Sequence, residues 1–326
     1  MTSARRWRST LAVACFLFIG LQALAQSPAP ADCPPQASMP TAEERAKLSE
    51  QARDRGFLWR ISKGGKSSYL YGTIHLARRD WMFPGPQVSA ALRASQVVAL
   101  ELDITDTALM QRLQAGLAAK PGEPGAKLPE DLATRLRAQL RLACAPSEML
   151  TAMSPEMVGA LLVMMSVRRD GLDANYGIDP ALAHLARREK KTLVSLETPE
   201  LQLKLMRSQS ATDLRESLEK MLSDLEQDRA RPLLLRVAQV WAEGRDDELE
   251  RYREWCDCAH TELERATLKA MLDDRHPAMA ERIDALHSGG QTVFAAVGSL
   301  HLFGPQALPA LMAQRGYRVE RISFKP

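Results

Sequence analysis

The chain has 326 residues, with 43 lysines and arginines against 40 aspartates and glutamates. Three of the arginines lie within the first eight residues, so the remainder of the chain carries 40 charges of each sign. A balanced chain lacks the basic excess that nucleic-acid binding requires, and we predict no nucleic-acid partner.

The first 25 residues predict an export signal. Arg5, Arg6 and Arg8 precede an apolar stretch at 11–24, and small residues up to Ala25 form a cleavage site. The apolar stretch is too short for a permanent span, and no later run is long enough either. We therefore expect a periplasmic or secreted protein, cleaved near Ala25, without an integral membrane segment.

The next segments predict a leader followed by one domain. Residues 26–50 are assigned to a proline-rich leader, and residues 51–326 to a single domain of a size that one core can support. Strand-like runs at 57–62 and 68–71 flank two glycines, which predicts a hairpin. A helix at 87–94 and a buried strand at 96–103 follow.

The middle of the chain is predicted to be helical. Helical spacing of apolar residues extends from 107 to about 188 and again from 199 to 286, interrupted by a strand at 191–197. Within the first region, Asp179 and Pro180 are expected to cap and start a helix at 181–188. A strand at 292–297, a helix at 306–314 and a last strand up to residue 322 close the sequence. The predicted fold class is α/β (mixed α+β): a mixed sheet built from N- and C-terminal strands, flanked by helices, with a large helical insertion.

Four cysteines follow the export signal: Cys33, Cys144, Cys256 and Cys258. An even number in an oxidising compartment favours disulfides, and three pairings are possible. We expect Cys144 to pair with Cys256 or Cys258. A metal site that uses Cys256 and His260 on one helix face is the less favoured alternative.

One short motif occurs twice. Gly72-Thr73-Ile74-His75-Leu76 is repeated almost unchanged as Gly298-Ser299-Leu300-His301-Leu302, each time at the end of a predicted strand. Glycine permits close approach of the backbone, and a histidine three residues later can be aimed from the strand end. We predict that His75 and His301 converge on one metal ion or substrate. The remaining histidines, His184, His260, His276 and His287, are assigned structural roles.

Carboxylates also follow predicted strands. Glu101 and Asp103 end one strand and Glu197 ends another, the usual place for chemistry on an open α/β sheet. Two imidazoles and a carboxylate could hold a divalent cation with an open position. Without a metal, the same groups could act as general base and orienting acid.

The ordered motifs resemble those of the TraB/GumN family. The matching segments are 71–76, 101–103, 177–179, 196–198, 297–304 and 316–319. The resemblance implies kinship with Tiki metalloproteases, which use paired G-x-x-H motifs and a glutamate, and more distantly with erythromycin esterases and ChaN-like haem-binding proteins. It assigns metal-binding and catalytic roles to His75, Glu101 and His301. Arg275 matches the arginine of the family's Arg-Asn pair, whose asparagine is His276 here.

The leading functional hypothesis is an exported, divalent-metal-dependent hydrolase that acts on peptides or proteins. Mn, Co or Zn would fit the ligands, Asp103 and Glu197 would orient them, and Arg275 would face the substrate carbonyl. One alternative is a periplasmic protein that binds haem or a metal without turnover. Another is a metal-free esterase in which one histidine is the base.

Overall fold

The computed structural model of the protein describes residues 33–324. The predicted export signal and the start of the leader lie outside the described residues. The later part of the leader contains a helix whose first turn is closed by a capping box between Thr41 and Glu44. This helix is anchored to the domain, because Arg79 donates two hydrogen bonds to the Glu44 carboxylate.

A six-stranded mixed sheet forms the centre of the fold, in the order β4-β3-β5-β2-β1-β6. Its strands are β1 (Phe57–Lys63), β2 (Lys66–Thr73), β3 (Val97–Leu100), β4 (Thr192–Ser195), β5 (Val293–Gly298) and β6 (Arg318–Ile322). Strands β4, β3, β5 and β2 run parallel, whereas β1 pairs antiparallel with both β2 and β6. The sheet therefore unites both ends of the chain, which confirms the predicted fold class.

The β1–β2 hairpin is confirmed in detail. Lys63 pairs with Lys66 across the turn, and the two residues between them, Gly64 and Gly65, have φ of +60° and +75°. Two successive positive φ values are what a two-residue hairpin turn requires, and glycine adopts them without a side-chain clash.

Helices flank this sheet and fill the middle of the sequence. Within residues 33–324 they are α1 (Ala42–Glu50), α2 (Pro86–Ala94), α3 (Thr107–Ala115), α4 (Glu130–Leu142), α5 (Met149–Ala152), α6 (Pro155–Met165), α7 (Ile178–Arg188), α8 (Pro199–Leu205), α9 (Ala211–Glu226), α10 (Ala230–Glu243), α11 (Asp246–Glu250), α12 (Tyr252–Trp255), α13 (Glu262–Leu268), α14 (His276–Ser288) and α15 (Leu308–Gln314). None of the helices in this part of the chain is long and apolar enough to span a bilayer.

Two of the three hydrophobic clusters among the described residues reflect this layout. The main cluster packs the helices against the sheet, around fully buried residues such as Phe57, Leu100 and Phe294. A second cluster lies within the helical insertion, where leucines of α4, α6 and α9 meet. The leucines recur at helical spacing, so each helix presents one apolar face to the others. The insertion thus has a small core of its own.

The predicted disulfide pairing is wrong. Cys33 pairs with Cys144, and Cys256 pairs with Cys258. The second bridge closes within two residues because Asp257, between the cysteines, has a φ of +52° and turns the chain back on itself. It also removes both thiols from the alternative metal site, and His260 instead lies 3.0 Å from the Asp257 carboxylate. The first bridge ties the leader to the helical insertion.

Candidate functional site

Four parallel strands deliver the predicted site residues to one edge of the sheet. In the spatial order of the strands, Glu197 follows β4, Glu101 follows β3, His301 follows β5 and His75 follows β2. The carboxyl ends of parallel strands point the same way, so the four side chains gather at a single edge. Thr73 of β2 pairs with Gly298 of β5, so the two glycine-histidine motifs are offset by one residue along the strands.

His75 is oriented by Asp179. Its Nδ1 lies 2.9 Å from Asp179 Oδ2, while the other carboxylate oxygen accepts a hydrogen bond of 2.7 Å from Thr73 Oγ1. The nearby charge of Asp179 raises the pKa of His75 to about 9. The imidazole is 62% exposed and the carboxylate only 14%, so the pair stands at the rim of the site. Its Nε2 is left directed away from Asp179.

The first turn of α7 is held against the loop that carries His75. Ile178 N–H donates to Ile74 O at 3.0 Å, and a Cβ on Gly177 would lie 2.9 Å from His75 O. This close approach explains the glycine. The sequence suggests Asp179 as a helix cap, but the cap position is Gly177 and no side chain caps the helix. The Asp179 carboxylate is used instead to position His75.

Glu101 is buried and held from two sides. Its Oε1 accepts a hydrogen bond of 2.7 Å from Gly298 N–H, and its Oε2 accepts one of 2.6 Å from Arg275 Nη2. Burial by itself would raise the pKa of Glu101, but positive charge from His301, His75 and Arg275 outweighs it and lowers the pKa to about 2. His301 is neutral at pH 7, so His75 and Arg275 supply this positive charge, and only the charge of Arg275 persists above pH 9.

Arg275 joins two carboxylates behind the site. Its Nε and Nη2 donate to both oxygens of Glu197 at 2.7 and 2.5 Å, Nη2 also donates to Glu101, and Nη1 donates to Met271 O. Gln202 Nε2 donates to Glu197 at 3.2 Å and to Glu101 at 3.4 Å. Four of the five guanidinium N–H groups thus donate to protein groups, and the side chain is only 7% exposed. Arg275 therefore positions Glu101, whereas the sequence-based hypothesis directs it at a substrate carbonyl.

A chain of hydrogen bonds fixes the proton on His301. His276 Nδ1 lies 2.9 Å from Gln306 O, and His276 Nε2 lies 2.9 Å from His301 Nδ1. A carbonyl only accepts, so His276 Nδ1 carries hydrogen and, because burial lowers the pKa of His276, its Nε2 is left as the acceptor. His301 Nδ1–H must then donate to it. The lone pair of His301 is thereby placed on Nε2.

That lone pair faces Glu101. His301 Nε2 lies 3.7 Å from Glu101 Oε1, and burial lowers the pKa of His301 to about 3. A neutral imidazole nitrogen and a carboxylate oxygen are both acceptors, so a cation or a hydrogen-bond donor placed between them would be stabilised. Two ligand atoms bound to one tetrahedral zinc ion are roughly 3.4 Å apart. The observed separation is close to that value.

Gly298 provides the space in which the three side chains meet. A Cβ at this position would lie 3.3 Å from Glu101 Oε1, 3.7 Å from His75 Nε2 and 3.7 Å from His301 Cδ2. Its φ of −50° and ψ of 135° are open to any residue, so the backbone conformation does not require glycine. Any side chain here would enter the volume shared by the two histidines and the glutamate.

Asp103 does not join the others. Its Oδ1 accepts from the Thr105 backbone and hydroxyl, and its Oδ2 accepts from Arg187 at 2.9 Å. These contacts lie at the turn after β3, and they do not involve His75, Glu101 or His301. Of the two carboxylates expected to orient the site, the structure brings only Glu197 next to Glu101.

Two residues of the site have roles that differ from those the sequence predicts. The sequence predicts a structural role for His276 and a helix cap at Asp179, but each lies against one of the paired histidines. A signal exists for both, because 177–179 and Arg275-His276 belong to the segments that resemble family motifs. Their spacing from His75 and His301 does not predict contact.

The donor set of the site fits a divalent cation chemically. It offers one ionised carboxylate and two imidazole Nε2 atoms, of which that of His75 loses its proton when a metal ion binds. Each imidazole has its other nitrogen fixed by Asp179 or His276, as metal-binding histidines commonly do. In the part of the chain that the structure describes, no three histidine, cysteine, aspartate or glutamate side chains are already grouped closely enough to hold a metal ion. The donors match in chemical type, and the exposed His75 would have to move toward Glu101 and His301 for all three to reach one ion.

The model of the TraB/PrgY/gumN family matches residues 57–321 of the chain. The chain is a member of this family. No curated protein and no solved structure matches it. The family match spans all six strands nearly completely and includes every residue of the site described above.

Proposed function

We propose that the protein is an exported hydrolase that depends on a divalent metal ion and acts on peptides. The main support for this proposal is a pair of acceptor atoms that face each other, His301 Nε2 and Glu101 Oε1. They lie 3.7 Å apart, next to the space that a side chain at Gly298 would fill. A divalent cation, when bound, supplies Lewis acidity that polarises a carbonyl and makes water more acidic. Mn, Co and Zn all suit two imidazoles and a carboxylate.

The residues around the site have separable tasks. Arg275 keeps Glu101 ionised and fixes its carboxylate plane through a charge-assisted hydrogen bond. His276 holds the His301 proton on Nδ1, so that the Nε2 lone pair of His301 faces Glu101. His75, exposed at the rim, can accept or release a proton to solvent and can approach a ligand. Gly298 leaves room for the reacting group.

A peptide substrate is proposed because the resemblance to Tiki metalloproteases points to amide hydrolysis. The test is a peptide-library cleavage assay on the purified protein, with and without a chelator. We expect cleavage that the chelator abolishes, that added Mn²⁺, Co²⁺ or Zn²⁺ restores, and that is lost in both His75→Ala and His301→Ala. His184→Ala is the matched control, since His184 is exposed on α7 and should retain full activity.

Three other results would redirect the proposal. Haem absorbance or tight metal binding without cleavage would support a binding protein. Cleavage of esters that is indifferent to chelators would support a metal-free esterase. Full activity in both histidine variants would contradict a shared site altogether.

Export is proposed on two grounds. The first 25 residues carry the composition of a signal, and the structure pairs all four cysteines that follow them as disulfides, Cys33 with Cys144 and Cys256 with Cys258. Disulfides persist in oxidising compartments and are rare in a reducing cytosol. Mass spectrometry of the protein from cell fractions should find a mature form that begins near residue 26 outside the cytoplasm. An uncleaved protein confined to the cytoplasm would contradict this.

A further inference from the structure

A second polar pocket lies beside the amino end of α6. It encloses about 440 Å³, within the range of roughly 300–1,000 Å³ that is typical of small-molecule sites. Its walls come from the segment 116–125, the start of α6, and α8 with the residues that follow it. The same helix α8 carries Gln202, which contacts Glu101 and Glu197, so the pocket neighbours the candidate site without sharing its histidines.

Three buried polar atoms of the lining residues have no hydrogen-bond partner among the described residues. They are Ser154 Oγ, Glu156 Oε2 and Arg207 Nε. Ser154 is 1% exposed and Glu156 is 6% exposed. Buried polar groups are nearly always paired, because an unpaired one loses its hydration without compensation. All three atoms belong to residues that line this one pocket, where a bound ligand can supply the missing partners.

The protein holds these side chains in place through their other atoms. Glu156 Oε1 accepts a hydrogen bond of 3.0 Å from Ser208 N–H. The Nη atoms of Arg207 donate to Glu123, to Gly116 O and to Ala118 O. A Cβ on Gly125 would lie 3.2 Å from Glu156 Oε2, so the glycine leaves room beside that oxygen. The unpaired atoms of Glu156 and Arg207 thus belong to fixed side chains.

The chemistry of these atoms selects the ligand class. Glu156 Oε2 and Ser154 Oγ can both accept hydrogen bonds, which suits a primary ammonium group. Arg207 Nε–H is a donor that suits a carboxylate. Two exposed lysines on the pocket wall, Lys120 and Lys204, form no ion pair within residues 33–324 and add positive charge for the same carboxylate.

We propose that this pocket binds a small zwitterion, an α-amino acid or short peptide, with its ammonium group on Glu156 and Ser154 and its carboxylate on Arg207. Water could satisfy any one of the three atoms, whereas a zwitterion satisfies all of them and also neutralises the lysines. The volume accommodates a dipeptide. This binding does not depend on hydrolysis at the histidine site, and it adds a recognition function that the proposed activity does not require.

The test is calorimetric titration of the purified protein with alanyl-alanine, compared with its N-acetyl and its carboxamide derivatives. The free dipeptide should bind, and each derivative, which lacks one charge, should bind roughly tenfold more weakly or worse, as loss of one charged hydrogen bond implies. Glu156→Gln should weaken dipeptide binding by a similar factor. If Glu156→Gln fails to fold, the exposed Lys204→Gln should still weaken binding of the free dipeptide and leave binding of the carboxamide unchanged.

Two control variants establish whether the dipeptide occupies this pocket. Glu200 lines the same pocket, but Arg112 already holds both of its carboxylate oxygens, so Glu200→Gln should bind the dipeptide like the parent protein. His75→Ala should also bind normally, although it would abolish the proposed activity. Absence of dipeptide binding by the parent protein, or equal binding by Glu156→Gln, would overturn the proposal. Loss of binding in His75→Ala would place the dipeptide in the histidine site and would overturn it as well.

Discussion

Replacement of Arg275 by methionine tests the buried part of the site most severely. Arg275 donates four hydrogen bonds to Glu101, Glu197 and Met271 O, and the side chains of the ion pairs are only 7%, 9% and 3% exposed. Methionine retains much of the length but removes the charge. Two adjacent carboxylates would then be buried without a counter-charge.

The expected cost follows from that burial. Removal of one partner from a buried ion pair destabilises a protein by about 3–5 kcal/mol. With an unfolding entropy of about 2.1 cal/mol/K per residue over residues 33–324, that corresponds to a fall of roughly 5–8 °C in Tm. Arg112→Met is the matched control, because Arg112 makes the same two-pronged contact with Glu200, but the two side chains are 57% and 59% exposed. An exposed pair should cost about 1 kcal/mol or less.

The assay is urea-induced unfolding of both variants at pH 7, followed by thermal unfolding. Arg275→Met should lower the free energy of unfolding by several kcal/mol more than Arg112→Met does. Adding Glu197→Gln to Arg275→Met should restore part of the loss, because it removes one of the two unpaired charges. Equal destabilisation by the two arginine variants would refute the account of Arg275 as the counter-charge of a buried site.

Three further predictions concern the histidines and the glycine between them. Gly298→Ala should keep its Tm within a few degrees of the parent protein, because the backbone angles at this position suit alanine. The variant should nevertheless have a roughly 100-fold lower kcat/KM, about 2.7 kcal/mol, because its Cβ enters the volume between the histidines and Glu101. An unaffected kcat/KM would contradict that shared volume. The ion pair between His75 and Asp179 stabilises the metal-free protein fully below pH 6.5, the pKa of histidine in the unfolded chain, and this contribution is lost as the pH rises through about 9. Asp179→Asn should remove this pH dependence of the free energy of unfolding, measured between pH 6 and 10. His276→Phe should lower kcat and change the pH dependence of kcat, because His301 would lose the acceptor that fixes its tautomer. His276→Asn, whose side-chain oxygen can accept the same hydrogen bond, should retain more activity. Identical pH dependence of kcat in the two variants would contradict the positioning role of His276.

The strand ends can be predicted from the sequence because the signal is local. An apolar run followed by a polar residue indicates a buried strand and its carboxyl end, and the repeated glycine-histidine motif marks two of the four correctly. Parallel pairing then places Glu101, Glu197, His75 and His301 on one edge. Helical spacing of leucines likewise predicts the insertion and its apolar faces.

The partners of these residues could not be predicted, because their contacts depend on packing between distant segments. His75 meets Asp179 across 104 residues, and Arg275 meets Glu101 across 174. Nothing in the local pattern around Asp179 distinguishes a helix cap from a partner for histidine. Cysteine parity indicates disulfides but not their pairing, which the left-handed backbone at Asp257 decides.

If His75, Glu101 and His301 form one site, they share one metal ion, and the metal stoichiometry of the variants measures this. The purified protein, loaded with Zn²⁺ or Mn²⁺ and dialysed, should retain one equivalent. His75→Ala and His301→Ala should each lose that equivalent, and the double variant should lose no more than either single variant does. Full retention of metal in both single variants, or losses that simply add in the double variant, would show that the two histidines do not share a site.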